Sequence, residues 1–158
     1  IISWNSNAQI ILHGVSMGAA TVLMASGEEL PENVKAIIAD CGYTSEWDEF
    51  KCEANALHIP WFPVLNAASV MSRLRDGYDF KQASALEQVK QSRIPTLFIH
   101  GSDDELVPYS MLDKLYSAAV CKKECLTVNG AGHALSSSVE PELYWNTVES
   151  FIEKYLEK

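Results

Sequence analysis

Three short stretches hold the side chains of this chain that can do chemistry together. Gly14-Val15-Ser16-Met17-Gly18 sets a serine between two glycines. Ser102-Asp103-Asp104-Glu105 offers three adjacent carboxyls. Gly130-Ala131-Gly132-His133 places a histidine after two glycines. A serine hydroxyl is a weak nucleophile at neutral pH; it needs a base, and the base needs an orienting group. Serine, then acid, then histidine is one chain order in which such triads occur. The chemistry would be attack of Ser16 on an acyl carbon, with His133 as base and a carboxylate behind it. From the residues alone Asp103, Asp104 and Glu105 all remain candidates for that carboxylate.

The elements around these stretches read as supports for them. Ile10-Ile11-Leu12 is long enough for a buried strand and too short for a helix. Small and apolar residues from Met17 to Ser26 read as a buried helix, with Gly27 as its C-cap. Strand, tight turn and helix put Ser16 on a strained turn. Gly14 and Gly18 are expected to remove β-carbons where strand and helix pass closely. The helix would aim free N–H groups at the serine oxygen. Val34 to Ala39 reads as the next strand, ending at Asp40-Cys41-Gly42, and the βαβ unit predicts parallel strands with a right-handed crossover. Pro95 to His100 and Glu124 to Val128 read as two further strands. Ser16, the acidic cluster and His133 each follow the C-terminal end of a strand, the edge where open α/β sheets bind ligands.

Helices are expected at Glu46 to Leu57, Val64 to Arg75, Ser84 to Gln91, Tyr109 to Val120 and Glu140 to Lys158. Leu143, Val148, Phe151, Ile152 and Tyr155 mark the core stripe of the last one. Ile1 to Asn7 reads as a helix tail and a polar turn. No internal repeat or low-complexity segment interrupts residues 1–158, which read as one domain.

His13 to Gly18 resembles the nucleophile elbow of the α/β-hydrolase superfamily. His100 to Pro108 and Gly130 to His133 resemble its acid and histidine motifs, in the right order across nearly the whole chain. The resemblance is strongest to bacterial serine esterases and prolyl-oligopeptidase-like hydrolases. It implies an α/β fold with a mostly parallel sheet of about four strands and helices on both faces. It selects Asp104, because His-Gly-x-x-Asp-x-x-Val-Pro aligns with His100 to Pro108. Asp103 would then cap the turn or bond within its loop, and Asp40 occupies a rarer position for the acid. The implied triad is Ser16, Asp104 and His133, with the Met17 backbone N–H in the oxyanion hole. His13 would pack beside the elbow and His100 would be structural; His58, in the cap region, would be solvated or a pocket residue.

The same resemblance implies a cap-like helical insertion over residues 43–93, with Trp47, Phe50, Trp61 and Phe62 lining or covering a pocket. It also implies earlier strands, one carrying the second oxyanion donor, so the chain reads as the C-terminal half of a longer hydrolase. The edge of the elbow strand would then pair with a second copy or with the separated N-terminal half.

A net charge of −9 argues against nucleic acid and against anionic membrane surfaces. No run of about 18 apolar residues is present. Cys41, Cys52, Cys121 and Cys125 lack metal-ligand spacing and read as free thiols of a cytoplasmic protein. No cofactor or metal is expected. The substrate would be a small ester, thioester or amide, with carboxylic-ester hydrolysis the first expectation and peptide hydrolysis the second. A silent fragment or binding module that keeps the pocket is the reading from another class.

Overall fold

The computed structural model describes residues 1–156. Four parallel strands form one sheet in chain order: β1 (Ile10–Val15), β2 (Val34–Asp40), β3 (Thr96–Gly101) and β4 (Lys123–Val128). β1, β2 and β3 each hold a short apolar run without helical periodicity, whereas β4 alternates and buries only Leu126 and Val128. Every residue of β3 is buried, as a strand covered on both faces requires.

Side chains of β2 and β3 alternate between two cores, following the period of two along a strand. On one face Ile37, Ala39 and Phe98 pack under α1 (Met17–Ala25), α4 (Ala85–Val89) and α5 (Ser110–Ala118). On the other, Ala36, Ile38, Leu97 and Ile99 pack under α7 (Pro141–Glu153), through Tyr144, Val148 and Phe151. The result is an α/β layering consistent with a partial α/β-hydrolase fold.

Between β2 and β3 lie α2 (Glu46–Ala56) and α3 (Trp61–Asp76) as well as α4. Ser45 caps α2 by accepting from the Asp48 N–H, and Ser84 caps α4 by accepting from the Glu87 N–H. Gly77 ends α3 in the left-handed region. The insertion expected over 43–93 is therefore not uniform. α2 and α3 pack on each other, whereas Ala85 and Val89 of α4 sit in the main core beside α1.

Several local expectations are corrected. Residues 1–7 form turns rather than a helix tail. Ser26, in right-handed helical conformation, closes α1 in place of Gly27. Tyr144 takes the core place expected of Leu143, which is exposed. A short helix, α6 (Ser136–Val139), precedes α7 and was not anticipated. The expected end of the last helix at Lys158 lies outside the described residues.

Candidate active site

β1 delivers Ser16 to the C-terminal edge of the sheet. Its φ is 55° and its ψ −117°, a conformation that disfavours side chains and so marks strain. Two bonds hold it there. The Ser16 N–H donates to the Asp40 carbonyl at 2.8 Å, and the Ser16 carbonyl accepts from the Ala20 N–H at 3.0 Å. Gly14 is required by close approach, since a β-carbon there would lie under 3.0 Å from the Gly18 carbonyl. Gly18 is not required in the way expected, because a β-carbon on it would meet nothing within 4 Å. The turn brings one backbone only past Gly14, and the first helical turn at Gly18 faces open space.

The acidic cluster follows β3 and is sorted by its hydrogen bonds. Asp104 is 7% exposed, and its Oδ1 accepts from the N–H groups of Leu106 (3.0 Å) and Val107 (2.9 Å). Asp103 accepts from the Ser102 hydroxyl at 2.6 Å, within its own loop. Asp40 is buried and accepts from the Ser136 hydroxyl at 3.2 Å.

His133 arrives on the loop after β4. Gly130, at φ 75°, supplies the left-handed turn, and Ala134 follows the histidine at φ 57°. This loop locks onto the acidic one: the Asp103 N–H donates to the Ala131 carbonyl at 3.0 Å, and the Gly130 N–H donates to Ser102 Oγ at 2.8 Å. A β-carbon on Gly101 would lie under 3.0 Å from that Ala131 carbonyl. Gly101 thus does for the two loops what Gly14 does for strand and helix, a role the sequence reading missed.

The loops bring together all three predicted triad residues. His133 Nε2 lies 2.8 Å from Ser16 Oγ, and His133 Nδ1 lies 2.9 Å from Asp104 Oδ2. With the Nδ1 proton donated to the carboxylate, Nε2 is left to accept the serine proton. Met17 opens α1, so its N–H belongs to the first-turn amides that a helix leaves without internal partners. Burial pushes the Asp104 carboxyl up, but hydrogen bonds from His100, His133 and the Val107 N–H outweigh it and hold the group below its ordinary range.

Four neighbours complete the setting. His100 is fully buried, with Nε2 2.9 Å from the Val107 carbonyl and 3.3 Å from Asp104 Oδ2. His13 lies beside the elbow, as expected, with Nε2 3.1 Å from Tyr144 Oη, and burial lowers its pKa. Tyr144 in turn bonds Asp40, whose carboxyl burial pushes up. Cys41 sits at φ 46°, and burial followed by the Asp40 charge pushes its thiol up to about 12. Nothing in the residue types announced a strained thiol at this point.

Cys41, Asp104 and His133 have potential ligand atoms within 4.8 Å of one another. A cation there would compete with the hydrogen bonds that Asp104 and His133 already make, and would have to strip a proton from a reluctant thiol. The donor set fits proton transfer better than metal binding.

An apolar groove of about 360 Å³ lies between α2 and α3, lined by Phe50, Ala54, Leu57, Trp61, Val64 and Leu65 among others. Of the four aromatics expected there, Phe50 and Trp61 line it. Phe62 is largely exposed, and Trp47 lines a separate surface depression. His58 is exposed, as the solvated reading expects.

The prolyl oligopeptidase family matches residues 3–158. The chain belongs to that family. The match agrees with the α/β-hydrolase resemblance read from the motifs. Among its relatives, Bacillus subtilis YqkD is 30% identical over 150 residues, which cover 94% of this chain and 49% of YqkD. The esterase domain of a Rhodothermus marinus protein superposes with a TM-score of 0.69 at 22% identity, covering 98% of this chain and 64% of that one. The Pyrococcus horikoshii acylaminoacyl peptidase gives a TM-score of 0.70 at 17% identity, covering 99% of this chain and 26% of the peptidase. At these identities the two structures speak for the shared fold. The chain spans about half the length of the curated relatives it matches. No helix among the described residues is long and apolar enough to cross a membrane.

Proposed function

We propose that this chain carries the triad of a serine hydrolase that cleaves carboxylic esters through an acyl-enzyme. The observation that carries the reading is the position of His133, 2.8 Å from Ser16 Oγ on one ring nitrogen and 2.9 Å from Asp104 on the other. Ser16 Oγ attacks the acyl carbon as its proton passes to His133 Nε2. The C–O π electrons move onto oxygen, where the Met17 N–H stabilises the developing charge. Collapse of that intermediate expels the alcohol, which takes the proton from His133. Water then repeats the sequence on the acyl-enzyme and releases the acid. Asp104 holds the imidazole in the needed tautomer and stabilises its charged form.

The family match favours one second reading, a serine peptidase acting on an amide bond with the same residues. The α/β-hydrolase resemblance implies a second oxyanion donor from a loop after an earlier strand. In a comparable hydrolase, loss of one donor lowers the rate roughly 10²–10³-fold.

The test is labelling with a fluorophosphonate probe, read by intact mass beside a Ser16→Ala control. One adduct, absent from the control, is expected. Folded protein that takes no label, or labels equally as Ser16→Ala, refutes the reading. A matched panel of p-nitrophenyl esters and peptide anilides on labelled-competent protein separates esterase from peptidase.

A further inference from the structure

His100 is the buried group near the triad that the mechanism leaves without a role. Its Nε2 faces two acceptors, the Val107 carbonyl at 2.9 Å and Asp104 Oδ2 at 3.3 Å, so Nε2 must carry a proton. Its Nδ1 is buried without a hydrogen-bond partner. A second proton there would be a buried donor with no acceptor, a worse state than an idle lone pair. The ring is therefore held as the Nε2–H tautomer. A leucine would fill similar space without burying an unpaired nitrogen, so packing alone gives no reason for an imidazole here.

The bonds close a cycle. Val107 donates its N–H to Asp104 Oδ1, and its carbonyl accepts from His100, which also reaches Asp104 Oδ2. The anchor is stiff: His100 lies on fully buried β3, with its ring edge against Tyr109 at 5.8 Å. Asp104, by contrast, lies on the loop beyond that strand. Oδ2 is the same oxygen that receives His133 Nδ1–H.

We propose that His100 is a positioning residue, which holds Asp104 opposite His133 by donating its Nε2–H to the Val107 carbonyl while keeping that N–H 3.3 Å from Asp104 Oδ2. This rests on the serine-hydrolase reading. Two consequences follow. The clamp fixes where the carboxylate meets His133, and it shares the negative charge that His133 would otherwise face alone. The other titratable groups facing this cluster are Asp40 and Tyr109 toward His100, and Glu49 and Cys41 toward Asp104. A substitution at position 100 keeps all four of these residues.

The experiment compares the wild-type chain with His100→Leu, His100→Gln and His100→Asn. Glutamine puts an N–H where Nε2 stood; asparagine is too short to reach. Imidazole NMR titration follows His133, and the fluorophosphonate labelling rate follows Ser16. In His100→Leu and His100→Asn, His133 is expected to titrate higher by roughly 0.5–1 pH unit, as the unshared carboxylate charge falls on it. Labelling is expected to slow about tenfold, the scale of a modest loss of positioning. His100→Gln should restore both toward wild type. Unchanged His133 titration in the variants that lack the donor overturns the proposal, as does a glutamine variant that behaves like asparagine. If His100→Leu does not fold, the glutamine–asparagine pair decides alone. A wild-type chain that takes no label refutes the serine-hydrolase reading, while the NMR titration still reports whether His100 acts on Asp104 and His133.

Discussion

A β-carbon on Gly14 would lie under 3.0 Å from the carbonyl of Gly18, whereas a β-carbon on Gly18 would meet nothing within 4 Å. The two glycines that flank Ser16 therefore do different work. Gly14→Ala must push β1 away from α1, a backbone conflict expected to lose about 3 kcal/mol or more. Gly18→Ala removes a helix-destabilising glycine and should gain up to about 1 kcal/mol. Urea denaturation of both variants checks this; equal destabilisation would show that the elbow is packed differently.

The asymmetry shows what the sequence could and could not disclose. The strands were readable because short apolar runs such as Thr96 to Ile99 have one stable placement, buried between two helical layers. Ser16, Asp104 and His133 were readable because each follows such a strand at a motif spacing. Gly18 was misread because a clash depends on what passes nearby, not on residue type. Leu143 was misread because α7 starts at Pro141, and its phase puts Tyr144 inward. The approach of His100 Nε2 to within 3.3 Å of Asp104 Oδ2 has no signature in the sequence, because it depends on the path of the loop after β3. The positive φ of Cys41 has no signature in residue type at all.

The choice of acid can be decided by three amides. Asp104→Asn keeps the shape but favours the wrong His133 tautomer, and the labelling rate should fall about 10⁴-fold, as in a comparable triad. Asp103→Asn touches only a bond to Ser102 on an exposed loop, and the rate should stay within about threefold of wild type. Asp40→Asn alters the buried Tyr144–Ser136 network and should lower the denaturation midpoint more than the rate. A larger rate loss in Asp40→Asn than in Asp104→Asn would reassign the acid.

Glu49 makes stability depend on pH. It is 7% exposed on α2, and burial, then Glu53 and Asp104, pushes its carboxyl from 4.5 up to about 7. Between those values the folded chain keeps a proton that the unfolded chain has lost. Stability from this group is thus present below pH 4.5 and declines as pH rises toward 7. Glu49→Gln should be neutral at pH 4 and stabilising by roughly 2 kcal/mol at pH 8. Chemical denaturation at the two pH values tests it, and an equal effect at both would sink the linkage.

The outer edge of β1 carries the last prediction. β1 pairs with β2 on one side and with no other strand among the described residues. Ile10, Ile11 and Leu12 are only half-buried despite their apolar character, and Val15 is exposed. An apolar strand with unpaired backbone groups is a template for another strand. We predict that this edge is covered in solution, by a second copy of the chain or by a complementary segment of a hydrolase sheet. Light scattering of the chain alone should show association that grows with concentration. Ile10→Lys should weaken it, because burying a lysine against an incoming strand is unfavourable. A monomer across the whole range, or association indifferent to Ile10→Lys, would falsify this.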